Sequence, residues 1–203
     1  MRVRKSADER KAEVVTAALK LADEIGPDRV TTETLAGAVG LTQPGIFRHF
    51  PKKQDIWEAV ADYIGRQMQK RWDSTERRQG DAPEERLHRL VMGQLRLIQT
   101  FPAIPCLLFS RELLVENVRL RNVFAKLLGQ FHQRLTKSVV DAQSGGYFRS
   151  DLKPDDVAYL LIGLVQGLAV RWSVNERRFS IVKEGERLLE LQLKGFRVNY
   201  GPS

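Results

Sequence analysis

The sequence predicts an all-α protein with about nine helices. Apolar residues recur at intervals of three and four along most of the chain, and no segment alternates convincingly as a half-buried strand would. Proline, glycine and hydroxyl residues separate the periodic segments at positions that begin or end helices. With 203 residues, the chain has room for a small module joined to a larger one. We therefore expect an N-terminal three-helix unit followed by a larger helical domain.

The N-terminal unit is predicted from three short apolar patterns. Residues 14–25 have the spacing of an amphipathic helix, and a Gly-Pro pair follows them. A second short helix, which Thr31 or Thr32 can cap, carries Leu35, Ala36 and Val39 on one face and ends at Gly40. Thr42 can cap a third helix over residues 43–50, because its hydroxyl can accept from a first-turn amide. A proline then ends this helix.

Further helices are predicted beyond residue 52. Each shows apolar residues on one side, and several begin with a proline or an acidic first turn. Their approximate ranges are 52–72, 84–98, 107–115, 120–139, 154–172 and 181–198. The chain therefore divides near residue 52 into a small and a large helical part.

The charge balance favours a polyanionic partner. Lys and Arg number 33 and Asp and Glu number 25, which leaves a net charge of +8. Nucleic acid is the simplest such partner, because neutralising phosphates releases condensed counterions. The single cysteine, Cys106, cannot form an intramolecular disulfide. No secretory signal is recognisable, and the apolar run 159–170 is shorter than the roughly 20 residues that span a bilayer. We therefore expect a cytoplasmic protein without a membrane segment.

Neither catalysis nor metal binding is predicted. The sequence has no Gly-x-Ser-x-Gly elbow, phosphate loop, dinucleotide fingerprint or paired-histidine zinc motif. His49, His88 and His132 show no ligand spacing with one another or with the cysteine. We expect no enzyme activity, no metal site and no cofactor.

Residues 31–50 have the pattern of a helix-turn-helix. Two short helices flank the turn Gly40-Leu41-Thr42, and the preceding helix can complete their core. In DNA-binding proteins of this kind the second helix enters the major groove. An ordinary helical hairpin fits the spacing equally well.

The run TTETLAGAVGLTQPGIFRHFPKKQDI, residues 31–56, closely resembles the DNA-binding segment of TetR/AcrR-family regulators. The resemblance rests on a Gly-hydrophobic-Ser/Thr turn, an aromatic-x-x-Phe ending of the second helix and a lysine that opens the fourth. At the level of residues it covers about 12–60. Phe47 is a departure, because the family often has tyrosine there and a phenyl ring cannot donate a hydroxyl to phosphate.

The resemblance implies a helix-turn-helix DNA-binding domain over residues 1–52 and a ligand-sensing and dimerisation domain over residues 53–203. Gln43 is the best candidate for direct reading of a base, because its amide can pair with adenine. The implied DNA-contacting residues are Thr32, Thr42, Gln43, Pro44, Gly45, Phe47, Arg48, His49 and Lys53. Arg2, Arg4 and Lys5 can form an arm that reaches the DNA, although a solvated tail explains them at least as well.

The resemblance also implies a homodimer. In the family, the last two long helices pair with their copies, and glycines at 163 and 167 would allow close approach. The alternative for these helices is an ordinary intramolecular core. The implied interface residues are Leu161, Gly163, Leu164, Gly167, Leu168, Leu189, Leu193 and Phe196. A twofold dimer would recognise double-stranded DNA with a palindromic operator, its half-sites about one helical turn apart.

A small-molecule inducer is the last implied partner. The candidate ligand-binding residues are Met68, Trp72, Met92, Leu95, Phe101, Cys106, Phe109, Phe124 and Phe131. They indicate an apolar or amphipathic ligand, with His88 or His132 as polar anchors, but core packing is the commoner role of such a set. Cys106 can be a thiol sensor, although a lone cysteine among apolar neighbours is more often a buried small hydrophobe.

We thus expect a ligand-responsive repressor that the inducer releases from DNA. One alternative is a DNA-binding protein of the same fold that acts outside transcription, in chromosome organisation. Another is a helical small-molecule-binding protein or enzyme in which the helix-turn-helix is incidental.

Overall fold

The computed structural model describes residues 5–76 and 80–198, and over these residues the protein is all-α, as the sequence predicts. Regular structure there consists of ten α-helices and one 3-10 helix, Pro27–Arg29. The α-helices are α1 Ala7–Ile25, α2 Thr32–Val39, α3 Gln43–His49, α4 Lys53–Glu76, α5 Pro83–Thr100, α6 Ala103–Phe109, α7 Arg111–Glu116, α8 Val118–Ser144, α9 Pro154–Val174 and α10 Ile181–Phe196.

The predicted helical piece at 107–115 is two helices, α6 and α7, which raises the helix count from nine to ten. Ser110 separates them with an extended backbone, φ −70° and ψ 104°. Its hydroxyl accepts from the Leu113 backbone N–H at 3.1 Å and so caps α7. Serine is a weaker helix breaker in a sequence than glycine or proline, so the apolar pattern alone did not reveal this break.

Contacts divide the chain into two compact units. In the first, the described residues are 5–66 and 101–125; in the second, they are 67–76, 80–100 and 126–198. Both α4 and α8 contribute residues to each unit. The first compact unit is therefore larger than the N-terminal three-helix pattern, because it includes α6, α7 and the start of α8.

In the first unit, α1 packs against α2, α3 and α6, and α2 packs against α3. The capping box of α1 starts this arrangement: the Ser6 hydroxyl accepts from Glu9 N–H at 3.2 Å, and the Glu9 carboxylate accepts from Ser6 N–H at 2.6 Å. Hydrogen bonding of the Glu9 carboxylate to the Ser6 backbone N–H, and then to the Ser6 side chain, lowers the pKa of Glu9. Buried residues of this unit include Val14, Ala18, Ala22, Leu35, Ile46, Phe50, Trp57 and Leu107.

In the second unit, α5, α9 and α10 pack against one another. The closest approach is at Gly185 of α10, where an added β carbon would clash with Leu95 Cδ1 and lie 3.6 Å from Leu168 Cδ1. Leu95 is completely buried, so it has little room to move away. The absence of a side chain at 185 therefore lets α10 lie close to both other helices.

Ion pairs and backbone hydrogen bonds join the end of α10 to two other parts of this unit. Arg197 pairs with Glu84 at the start of α5 and with Glu190 of α10, the latter at 2.7 Å. The guanidinium of Arg197 lowers the pKa of Glu190 by hydrogen bonding. Backbone bonds join the residues after α8 to the end of α10, through Arg149 N–H to Phe196 C=O at 2.9 Å.

Helix α9 is longer than the apolar run 159–170 suggests. It has 21 residues and, by length and composition alone, is long and apolar enough to cross a membrane. Its most apolar 18-residue stretch is 44% buried within the chain. Core packing of residues such as Leu161 and Leu168 accounts for part of this apolar content, since the core helix of a globular protein can be equally apolar.

The packing at Gly185 predicts a loss of stability in Gly185→Ala. Overpacking against Leu95 costs about 1–3 kcal/mol, and the better helix propensity of alanine returns up to about 1 kcal/mol. We expect the free energy of unfolding in urea, at fixed protein concentration, to fall by about 1–2 kcal/mol. Gly129→Ala is the matched control, because position 129 in α8 is exposed and a β carbon there meets no atom within 4 Å. Equal stability of the two variants would contradict the packing argument.

Candidate nucleic-acid interface

The turn between α2 and α3 is determined by Gly40. This residue ends α2 in the left-handed region, φ 64° and ψ 38°, and its N–H donates to the carbonyls of Ala36 and Gly37. The N–H of Leu41 donates to the same Ala36 carbonyl at 2.9 Å. A residue with a β carbon is disfavoured in this conformation. Glycine is thus strongly favoured where the chain turns into α3.

Hydroxyl side chains cap both helices of the pair. The Thr42 hydroxyl accepts from Gly45 N–H at 3.3 Å at the start of α3. Thr31 and Thr34 form a reciprocal capping box at the start of α2, with bonds of 3.1 Å and 2.9 Å. The remaining first-turn amides point out of the helix ends, where they favour anions such as phosphate.

Gln43 and Thr32 join the first turns of the two helices. The Gln43 amide nitrogen Nε2 donates to Thr32 Oγ1 at 2.8 Å. The bond orients the Gln43 side chain across the N-terminal ends of α2 and α3. Within the described chain it leaves the Gln43 amide oxygen, the second Gln43 amide N–H and the Thr32 hydroxyl proton for an external partner.

All of the predicted DNA-contacting residues are at least partly accessible. Thr42, Gln43, Pro44, Phe47 and Arg48 are exposed. The remaining four, Thr32, Gly45, His49 and Lys53, are partly exposed. On the opposite side of α3, Ile46 and Phe50 are buried and anchor the helix. Phe47 is 41% exposed, so its ring is accessible at the position where tyrosine is often found.

The start of α4 is held by residues that the sequence did not single out. Buried Asn117, just before α8, donates from Nδ2 to the Gln54 carbonyl at 3.4 Å and accepts Leu120 N–H at 2.9 Å. Arg119 pairs with Glu58 at 2.9 Å. These contacts position the first turn of α4, which carries Lys53. The only local signal was an asparagine at a helix start, which does not identify its tertiary partner.

Of the predicted N-terminal arm, Arg2 and Arg4 lie outside the described residues, and Lys5 lies within them. Lys5 pairs with Glu13 of α1. Ser6 begins the helix directly after it. Lys5 therefore lies against α1 in this structure.

The predicted dimer residues separate into buried and accessible sets. Five of them are buried within the chain and pack in its core: Leu161, Leu168, Leu189, Leu193 and Phe196. Gly163 and Gly167 are exposed, and Leu164 is partly exposed. Helix α9 also exposes apolar side chains that are not among the predicted interface residues. Their exposed fractions are 63% for Tyr159, 54% for Leu160, 44% for Val170 and 77% for Val174. The accessible residues of α9 therefore include both glycines and these apolar residues.

The predicted ligand-binding residues are distributed over both units and are mostly packed. In the second unit, Met68, Trp72, Met92, Leu95 and Phe131 are all buried. Trp72 and Phe131 stack with ring centroids 6.0 Å apart, and the Arg134 guanidinium carbon lies 4.6 Å from the Trp72 centroid.

In the first unit, Phe101 contacts Tyr63 edge-on at 5.7 Å, Phe124 is buried and Phe109 is 50% exposed. The Cys106 thiol lies 2.9 Å from the Ala103 carbonyl and is partly buried. In the second unit, both candidate polar anchors have an acidic partner. The Nε2 atom of His88 lies 2.7 Å from a carboxylate oxygen of Glu186, and that of His132 lies 3.6 Å from one of Asp155.

Comparisons with known proteins agree with the fold. A Saccharomonospora viridis regulator solved in complex with choline is 22% identical, with TM-score 0.80, and the match covers 95% of this chain and 99% of that one. The ketosteroid transcriptional regulator KstR2 of Mycobacterium tuberculosis is 20% identical, with TM-score 0.79 and coverage of 98% and 100%. Among curated proteins, the nucleoid occlusion factor SlmA of Marinobacter nauticus is 29% identical over 149 residues, 73% of this chain and 74% of that protein.

Two family matches cover most of the chain. Residues 14–60 match the N-terminal family described as "Bacterial regulatory proteins, tetR family". Residues 83–194, more than half of the chain, match the family described as "BetI-type transcriptional repressor, C-terminal". The first match contains the whole α2–turn–α3 arrangement, which confirms the resemblance seen in the sequence. The chain therefore belongs to the tetR family of bacterial regulatory proteins.

Proposed function

We propose that this protein is a ligand-responsive transcriptional repressor, which binds a palindromic operator as a dimer and is released by a small-molecule inducer. The observation that supports it best is the start of α3, where exposed Gln43 is held by Thr32 beside two capped helix ends. This arrangement presents an amide for a base edge and backbone N–H groups for phosphates.

In the proposed complex, α3 lies in the major groove. Gln43, Pro44 and Gly45 face base edges, and Gly45 allows the backbone to approach closely. Thr32 and Thr42 contact phosphates and thereby set the register, without reading sequence. Further phosphate contacts come from His49 and Lys53, and Arg48 reaches a guanine or a phosphate.

The proposed dimer uses the accessible side of α9. An exposed side with Tyr159, Leu160 and Val174 resembles a surface that a second chain covers. At Gly163 and Gly167 an added β carbon meets no atom within 4 Å of the same chain, so both positions are open to close approach by a partner helix. Twofold symmetry would place two copies of α3 on half-sites about one helical turn apart.

Residues 53–203 are proposed to sense the ligand and to form the dimer, and residues 1–52 to bind DNA. Helix α4 runs without interruption from Lys53 to Glu76 and contributes to both compact units. A ligand that binds one orientation of α4 more tightly would shift the spacing of the recognition helices. The predicted aromatic and methionine residues favour an apolar or amphipathic inducer. Solved structures of this fold include complexes with choline and with stearoyl-CoA, so the fold takes chemically different ligands.

A second candidate is a DNA-binding role outside transcription. It is favoured by curated relatives that are named nucleoid occlusion factors and are 23–29% identical to this chain. Genome-wide mapping of bound sites separates the two candidates. Many dispersed sites support the second, and one or a few promoter sites support the repressor.

The first prediction from this proposal concerns Gln43→Ala. Sites selected from random duplex DNA should form a palindrome. The variant should bind this palindrome about 5-fold to 150-fold more weakly, because a bidentate base contact is worth about 1–3 kcal/mol. Affinity for scrambled DNA should change little. Fluorescence anisotropy at several salt concentrations measures both affinities.

Gln133→Ala in α8 is the matched control, because Gln133 is exposed and lies on another helix. Uniform, salt-dependent binding to every duplex would contradict sequence-specific recognition. No DNA binding by the wild type would favour the helical small-molecule-binding alternative.

A further prediction concerns the double variant Gly163→Ala and Gly167→Ala. The two methyl groups should stabilise α9 within one chain, by up to about 1 kcal/mol each. They should force the paired helices apart and raise the dimer dissociation constant by about 5-fold to 150-fold, as overpacking by about 1–3 kcal/mol implies. Analytical ultracentrifugation of this variant and of Gly129→Ala measures the constant. An unchanged dimer would show that the α9 glycines do not lie at the interface.

A further inference from the structure

A small cleft lies between the end of α4 and the middle of α5, within the second unit. Its volume is about 210 Å³. The residues that line it are Arg71, Ser74, Thr75, Arg89, Gly93 and Arg96. It is distinct from the predicted apolar ligand set, none of whose members is among these six. Three of its residues are arginines, and among the described residues that line it none is acidic.

Positive charge in this cleft is only partly neutralised. Arg89 pairs with Asp81, just before α5. Arg71 donates to the Gln67 carbonyl of its own helix at 3.1 Å, which satisfies one N–H group without cancelling the charge. Over residues 5–76 and 80–198, neither Arg71 nor Arg96 lies within 4 Å of a carboxylate. The guanidinium groups of Arg71 and Arg96 are therefore available to an anionic ligand in the cleft.

The shape of the cleft suits a small anion. A water molecule occupies about 30 Å³ in the liquid, so the cleft has room for several waters or one small oxyanion group. Gly93 keeps one wall open, because an added β carbon there meets nothing within 4 Å. Guanidinium groups present planar, paired donors that match the oxygens of phosphate and carboxylate.

We propose that this cleft binds a small molecule through a phosphate or carboxylate group, held by Arg71, Arg89 and Arg96. The proposal goes beyond the proposed repressor function, because it requires neither operator binding nor a dimer. Here Arg71 and Arg89 are partly buried and line one cleft together with Arg96.

The test is isothermal titration of the full chain with inorganic pyrophosphate and, separately, with citrate, at constant ionic strength. We expect saturable binding of at least one probe at a single site per chain. Tighter binding of pyrophosphate assigns the cleft to phosphate compounds, and tighter binding of citrate assigns it to carboxylates. Absence of saturable binding of both probes at millimolar concentration would overturn the proposal.

Two variants locate the binding. Arg96→Ala removes an exposed arginine that has no ion-pair partner in the described structure, and we expect affinity to fall about tenfold or more, as for a lost charge-assisted hydrogen bond. Gly93→Asp places a competing carboxylate in the open wall and should abolish binding.

Lys137→Ala and Gly129→Asp are the matched controls, because both positions are exposed on α8. They should retain the affinity of the wild type. Equal weakening by variants and controls would show general attraction to a basic protein and would refute the cleft as the site. Circular dichroism and the unfolding midpoint of each variant verify that it is folded.

Discussion

The left-handed turn at Gly40 is the constraint on which the DNA-facing unit depends. It directs the chain out of α2 and into α3 within two residues, and the caps at Thr31 and Thr42 then stabilise the helices on either side. With this angle set, Ile46 and Phe50 enter the core while Gln43 and Arg48 remain outside. The exposed, DNA-facing side of α3 thus depends on one backbone conformation, which glycine adopts at little energetic cost.

In the second unit, a glycine again determines how the helices pack. Gly185 lets α10 pack closely against α5 and α9, and this packing buries one side of α9 in the core. The other side keeps Tyr159, Leu160 and Val174 accessible. A helix that is apolar on both sides can therefore serve two packing surfaces, one within the chain and, as proposed, one between chains.

The fold class and the turn were predictable because their signals are local. Gly40, Thr42 and the proline after α3 each act within a few residues, and helical periodicity needs only one turn of context. Periodicity identified Leu161 and Leu168 as apolar positions, but it does not say which apolar face the chain itself covers; both are buried within the chain, and their place at an interface stays a prediction. Contacts between residues distant in the sequence could not be predicted either. The Gln43–Thr32 bond joins residues eleven apart, and the Asn117–Gln54 contact joins residues 63 apart. Both require the folded geometry.

The bond between Gln43 and Thr32 has a consequence for how a regulator of this kind would search a chromosome. On unrelated DNA, the amide can keep its internal partner while phosphate contacts hold the protein loosely on the duplex, so the base reader remains satisfied during sliding. At the correct site, the same side chain already lies across the helix ends, and little rotamer freedom is lost when a base edge is engaged. One short hydrogen bond would then serve both rapid scanning and prompt recognition.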